Sequence, residues 1–189
     1  MMFYLLFSVI AIQRLVELII AKRNEKWMKA KGAREYGQNH YRLMVLIHLL
    51  FFTSLLAEQS VGRQELNEYW PSLFILFLAA QAGRVWVIAS LGRYWNTKII
   101  VLPQADIIAK GPYKFIKHPN YLIVTVELIV IPLIFNAYWT LFIFALLNQF
   151  ILSIRIPVEE RALADTTDYH EIHQGKQRFI PVIKKGEID

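Results

Sequence analysis

The amino-acid sequence predicts an all-α fold, an integral membrane bundle of five transmembrane helices with the N-terminus outside and the C-terminus cytoplasmic. Three observations predict it. Hydrophobic residues make up 56% of the 189-residue chain and mean hydropathy is positive, above the roughly 45–50% apolar share usual in soluble domains. Several apolar runs approach or exceed the about 20 residues with which a helix crosses a bilayer. The basic residues fall in alternate loops between those runs, as the positive-inside rule requires of cytoplasmic segments. Membrane topology thereby accounts for the formal charge of +6, and no nucleic-acid partner is expected. No cysteine occurs, which excludes thiolate nucleophiles, disulfides and cysteine-based metal sites. No repeat, low-complexity segment or separate soluble domain interrupts the pattern, so 1–189 reads as a single integral membrane domain.

The first span covers 2–21. It is apolar to Ile12 and then carries Gln13, Arg14 and Glu17; the last two are i,i+3 neighbours able to neutralise each other inside a bundle. It lacks the basic n-region and cleavage site of a signal peptide, so it is expected to be retained. From Lys22 to Arg42 the basic residues Lys22, Arg23, Lys26, Lys29, Lys31, Arg34 and Arg42 face only Glu25 and Glu35, which marks a cytoplasmic segment. Trp27 and Met28 within it fit either a short interfacial helix or a solvated loop. The second span, 41–57, leads into Glu58–Tyr69, where Arg63 faces Glu58, Glu65 and Glu68, placing this loop outside. The third, 70–91, opens at the interfacial pair Tyr69-Trp70 with Pro71 in its first turn, and holds Gln81 and Arg84 in its cytoplasmic half. Arg93, Lys98, Lys110, Lys114 and Lys117 against Asp106 return the chain to the cytoplasm. The fourth span, 119–135, and the fifth, 138–156, are joined by only Asn136-Ala137 and must form an antiparallel hairpin. Pro157 is expected to kink or end the fifth helix, leaving a charged cytoplasmic tail, 157–189. Glu127, deep in the fourth span, needs a partner, for which Arg84 or Arg14 is available.

Chemistry concentrates in Lys110–Tyr121 and the end of the fifth helix. Gly111-Pro112 signals a turn, and Pro119 opens the fourth helix at a position where a missing N–H costs nothing. His118 and the first-turn N–H groups then stand at the membrane surface, where the helix dipole favours a carboxylate or phosphate. The hairpin forces Tyr113, His118 and Tyr121 toward Arg155, Glu159 and Glu160. Each alone reads as a snorkelling or helix-capping side chain; together they read as a site. His170-Glu171-x-His173 lacks the His-Glu-x-x-His spacing of a metal site, so no metal is expected and a solvated tail helix is.

Gly111-x-Tyr113, Lys117-His118-Pro119-Asn120-Tyr121, Arg155-x-x-x-Glu159-Glu160-x-x-Leu163, Tyr169 and Arg178-Phe179-Ile180-Pro181 follow one another in that order. Over roughly Trp95 to Pro181 the chain thereby resembles the isoprenylcysteine carboxyl methyltransferase family. The resemblance implies an integral membrane enzyme that transfers methyl from S-adenosyl-L-methionine to an oxygen of a lipophilic acceptor. The cofactor would enter from the cytosol and the acceptor from the bilayer. Carried over, the cofactor pocket falls on Ala105, Asp106, Ile107, Ile108, Tyr113, His118, Pro119, Asn120, Tyr121 and Glu159, and the acceptor-binding arginine matches Arg155; Arg155 and Glu159 are thus the catalytic pair. Lys117 stands where the family usually has arginine, Leu122 where a small residue is common, and Thr167-Asp168 where Phe-Gly is. These departures bear on the acceptor more than on methyl transfer. The blocks look most like those of bacterial members, some of which O-methylate alkylpyrones, with a prenylated cysteine carboxylate as the alternative acceptor. A bacterial cytoplasmic membrane is the implied location.

Methyl transfer is an in-line displacement, so the protein must chiefly hold the nucleophilic oxygen about 3 Å from the methyl and exclude water. A carboxylate is already ionised at pH 7, and an arginine fork holds it bidentately. In that scheme Glu159 accepts hydrogen bonds from the cofactor, His118 anchors its polar parts, and Tyr113 and Tyr121 frame adenine or ribose. Two other classes stay open: an NADPH-dependent membrane reductase resembling the sterol reductases, and a non-enzymatic protein whose basic loops hold anionic membrane lipids.

Overall fold

Helix α1, Met2–Ala30, continues well past the expected end at 21 in the computed structural model, which describes residues 2–62 and 65–181. Nothing between Ala21 and Ala30 breaks a helix, and Glu25 pairs with Lys29 at 2.6 Å along its polar end. Trp27 and Met28 therefore belong to α1, and neither the separate interfacial helix nor the solvated loop forms. Met28 is buried, and the Trp27 ring meets Tyr94 edge-on with centroids 5.6 Å apart. The chain turns at Gly32, whose φ of +91° glycine adopts without a Cβ penalty.

Two three-residue strands, β1 Arg34–Tyr36 and β2 Ile99–Val101, pair antiparallel. This short ribbon is an addition to a fold that is otherwise helical, as expected. Its β2 residues are β-branched and buried, which suits a pleated surface.

The remaining helices are α2 Gln38–Val61, α3 Trp70–Leu91, α4 Pro119–Ile134, α5 Tyr138–Ala164 and the single turn α6 Tyr169–Ile172. Helix α3 has the expected bounds, α2 is longer at both ends than 41–57, and α4 ends at Ile134 rather than at 135. Pro157 does not end α5, which carries it through to Ala164. Proline forfeits one backbone hydrogen bond there, and the burial of Leu152, Ile156 and Ala162 on the same helix holds the turns on either side.

Helices α1, α2, α5 and α3 with its following turn are each long and apolar enough to cross a membrane. Helix α4, with 16 residues, is about 24 Å long at 1.5 Å per residue, short of a hydrocarbon core of about 30 Å. The expected five spans thus become four of full length and one short apolar helix. Leu5, Ile19, Leu49, Leu76, Val85 and Leu146 are exposed on their outer faces, as lipid contact requires.

Helix α3 packs on α4, α4 on α5, and α5 on α2. Their shared core includes Phe51, Phe77, Ile131, Ile134 and Phe144. At the hairpin, Glu58 of α2 accepts the N–H groups of Trp139 at 3.1 Å and Thr140 at 2.9 Å, satisfying orphan donors at the start of α5. Arg63 of the preceding loop, Met1 and the tail segment 182–189 lie outside the described residues.

Both candidate partners of Glu127 reach it. Arg14 and Arg84 each donate an Nη2–H to its Oε2, while Arg84 Nε at 3.0 Å and Gln81 Nε2 at 2.8 Å serve Oε1. Arg14 also donates to Glu17 at 2.6 Å, and Gln13 links Glu17 at 2.9 Å to Gln81 at 2.6 Å. Arg14 and Arg84 balance Glu17 and Glu127, the only economical way to hold such charges within a bilayer.

Candidate active site

The site begins with the polar end of α1. Asn24 Nδ2 donates to the carbonyls of Gly92 at 3.1 Å and Trp95 at 2.7 Å, and Asn96 donates to that of Ala21 at 3.0 Å. Lys98 reaches Glu25 at 2.9 Å and Glu35 at 3.3 Å. These contacts fix the segment 92–101 against α1, and the β1–β2 ribbon packs it on α5. The Thr97 carbonyl is the part that matters, because Arg155 Nη2 donates to it at 2.5 Å.

Arg155 is only 3% exposed, yet its three nitrogens are differently used. Nε donates to the Tyr121 hydroxyl at 2.8 Å, and that hydroxyl donates onward to Glu159 Oε2 at 2.5 Å. Nη1 has no partner among the described residues. The guanidinium also lies 5.8 Å from the Tyr121 ring centroid and 6.0 Å from that of Tyr41, within cation–π range. Arg155, Tyr121 and Glu159 thus form one relay across α4 and α5, which the hairpin makes possible.

His118 plays a different part from a bare surface anchor. Its Nε2 is 3.1 Å from Glu160 Oε1, and Arg178 grips the same carboxylate through Nε at 3.0 Å and Nη2 at 2.5 Å. Lys117 and His118 donate their backbone N–H groups to the carbonyls of Gln177 at 3.0 Å and Arg178 at 3.1 Å. Glu160 therefore clamps the tail onto the start of α4. The tail helix is not solvated, as expected from sequence, but docked: Tyr169 and His173 are each 4% exposed and stack edge-on at 4.7 Å. Apolar ring surface released from water, together with the clamp, accounts for the difference.

Burial, and secondarily the Lys176 charge, lowers the His173 pKa to about 4, so the ring is neutral at pH 7. Burial raises the Tyr113 hydroxyl, with the Glu159 charge adding to it, and raises Tyr169 with help from Glu160 and Glu159. Both phenols remain hydrogen-bond donors. Tyr113 sits in the 3-10 turn Gly111–Lys114, which presses so closely on α3 that a Cβ at Gly111 would lie 2.1 Å from Ser90 Oγ. With φ at +58°, that position needs glycine on two counts.

All of this surrounds one cavity of about 520 Å³, within the roughly 300–1,000 Å³ usual for small-molecule sites. Of the residues expected in the cofactor pocket, Ala105, Asp106, Ile107, Ile108, Tyr113, His118, Asn120, Tyr121 and Glu159 line it, as does Arg155. Pro119 does not; it is buried behind the wall as the first residue of α4. Tyr41, Trp95, Thr97, Tyr169 and His173 line it as well and were not expected there. Trp95 and Tyr169 lie within the stretch of family resemblance and were findable. Tyr41 and the Thr97 carbonyl carry no local signal.

Besides Arg155 Nη1, the buried atoms Asn120 Oδ1, Trp95 Nε1 and the Tyr169 hydroxyl have no hydrogen-bond partner among the described residues. Each belongs to a residue lining the cavity. Unpaired buried polar atoms are costly in a finished core and in a cavity wall mark where a polar ligand completes the set. On the far side Leu15 of α1 and Leu49 of α2 line the cavity while being 61% and 60% exposed, so its wall there opens outward between the two helices.

The isoprenylcysteine carboxyl methyltransferase (ICMT) family matches residues 73–165. A Bacillus subtilis protein described as "Uncharacterized protein YpbQ" is 42% identical over 164 residues, covering 87% of this chain and 98% of its own. A Haemophilus influenzae protein described as "Uncharacterized protein" is 30% identical over 159 residues, covering 84% and 92% respectively.

Proposed function

Because the chain belongs to the isoprenylcysteine carboxyl methyltransferase family, we propose that it transfers a methyl group from S-adenosyl-L-methionine to an anionic oxygen of a lipophilic acceptor. The protein is an integral, multi-pass membrane protein, and its bacterial relatives accord with a bacterial membrane. The observation that carries the reading is the relay from Arg155 through Tyr121 to Glu159 along a cavity whose lining residues Trp95, Asn120, Arg155 and Tyr169 each keep a buried polar atom without a partner among the described residues.

When bound, the cofactor supplies an electrophilic methyl on a sulfonium. The chain's own residues do the rest. Arg155 offers Nη1 to the acceptor anion, with Nε and Nη2 fixed by Tyr121 and Thr97, so that the donor is oriented before the anion arrives. Glu159 keeps an oxygen beyond the one engaged by Tyr121 for the hydroxyls or ammonium of the cofactor. Asn120, Trp95, Tyr113 and Tyr169 supply the acceptor and donors for its other polar parts, with Ala105, Asp106, Ile107 and Ile108 closing the same wall. His118 acts through Glu160 to hold the tail down and water out.

The same reading gives five passages with the N-terminus outside and the C-terminus cytoplasmic, the short α4 crossing where the bilayer thins around it, and all of 1–189 as one membrane domain. The acceptor enters from the lipid between α1 and α2. An alkylpyrone enol is the first acceptor to test and a prenylated cysteine carboxylate the second. Family membership favours methyl transfer over the sterol-reductase and lipid-holding alternatives.

Calorimetric titration of the detergent-purified protein with S-adenosylhomocysteine tests this. Saturable binding that Glu159→Ala removes is expected. No binding by the folded wild type overturns the proposal, and binding of NADPH instead points to a reductase.

A further inference from the structure

The cavity has a second polar pole that methyl transfer as described does not use. Arg14, Glu17, His48 and Arg84 line it from α1, α2 and α3, at the level of Glu127. Glu127 lies six residues beyond Tyr121 on α4, so this pole is about 9 Å deeper than the Arg155 relay at 1.5 Å of rise per residue. Most of its hydrogen-bonding capacity is spent internally, but two groups keep some in reserve. An arginine carries five N–H donors; among the described residues one on each terminal nitrogen of Arg14 meets Glu17 or Glu127, and its side chain remains 22% exposed. His48 holds its Nδ1 2.8 Å from the Met44 carbonyl, which fixes the proton on that nitrogen and leaves Nε2 as an acceptor.

The charges decide what such a pole can take. Arg14 and Arg84 already balance Glu17 and Glu127, and a further ion would leave an uncompensated charge inside the bilayer. A neutral oxygen costs no such imbalance: it accepts from Arg14, and, if it is a hydroxyl, donates to His48 Nε2. We infer that Arg14 and His48 form a subsite for a neutral hydroxyl or carbonyl on the acceptor, set about two helical turns deeper than its reacting oxygen. The acceptor then carries, beyond the enol or carboxylate held at Arg155, a neutral oxygen function part-way along its lipid tail. This rests on the methyltransferase reading, because Arg155 must be the anion's holder.

The test is binding of stearate and of stearate hydroxylated at mid-chain to detergent-purified protein saturated with S-adenosylhomocysteine. The wild type is expected to bind the hydroxylated acid roughly five- to tenfold tighter, the worth of about one net hydrogen bond. In His48→Phe, which fills the same space without a ring nitrogen, the ratio is expected to fall several-fold, to what the Arg14 donor alone sustains, while the S-adenosylhomocysteine heat reports a folded protein. Equal affinities in the wild type, a preference unchanged in His48→Phe, or no binding of either acid overturns the inference and leaves methyl transfer standing. Failure of S-adenosylhomocysteine to bind the wild type defeats the methyltransferase reading and this inference with it.

Discussion

Tyr121→Phe removes one oxygen from the centre of the relay and leaves the ring in place, so no cavity forms and the loss is purely of hydrogen bonds. Two bonds go: the 2.8 Å donation from Arg155 Nε and the 2.5 Å donation to Glu159. Arg155 is 3% exposed, and its lost bond carries the full weight of one involving a charged group, about 1.5–3 kcal/mol. The Glu159 side chain is 28% exposed, so water replaces its lost donor in part, and about 1 kcal/mol is the fair figure there. With RT near 0.6 kcal/mol, S-adenosylhomocysteine should bind roughly fivefold more weakly through Glu159, and acceptor turnover should fall about 10- to 100-fold through the loosened Arg155. Calorimetry gives the first number, and methylation of an alkylpyrone enol or, if that is not accepted, of an isoprenylcysteine carboxylate gives the second. If only one of the two moves, or neither does, Tyr121 does not bridge the two functions and the relay is not the device described.

Glu127→Ala leaves Arg14 and Arg84 facing each other without their shared carboxylate; stability in detergent should fall by the about 3–5 kcal/mol of a broken buried pair, seen as a much lower thermal midpoint, and a loss of less than about 1 kcal/mol would remove the network as a structural element. Gly111→Ala combines a φ of +58° with a Cβ 2.1 Å from Ser90 Oγ, so destabilisation of about 1–3 kcal/mol is expected; unchanged denaturant stability would refute the close approach of this turn to α3. His173 has a folded pKa of about 4 against about 6.5 when free. The undocked tail therefore binds the proton first, and docking is fully stable above about pH 6.5 and weakens as pH falls toward 4, by at most about 3 kcal/mol. Limited proteolysis of the tail against pH should show that slope in the wild type, and His173→Phe should flatten it; equal slopes would place the pH sensitivity elsewhere.

Much of the site's geometry is legible in the sequence. Two residues, Asn136-Ala137, between two apolar runs leave no connection except a hairpin, and the hairpin alone brings His118 and Tyr121 beside Arg155 and Glu159. Pro119 marks the start of α4 by covalent chemistry, independent of context. The charge pattern likewise pointed to Arg14 and Arg84 as partners of Glu127, because burial in lipid leaves few alternatives. What failed were judgements made from one residue at a time. Pro157 predicts a kink or an end of the fifth helix because its local cost is fixed, whereas packing of Ile156 and Ala162 carries the helix on to Ala164. The His173 tail was read as solvated because four residues of helix have no patterning to show which side is covered.

The sequence by itself determined that the chain lives in a membrane, where α3, α4 and α5 start, and which charged side chains gather at the start of α4 and the end of α5. Those follow from hydropathy, turn chemistry and charge, all of which act over a few residues. Only the tertiary structure decided that α1 continues to pin segment 92–101, that Thr97 and Tyr121 take two of the three Arg155 nitrogens, and that Glu160 fastens the tail over the cavity. Each joins atoms dozens of residues apart, and a hydrogen bond acts over about 3 Å of space whatever the distance along the chain.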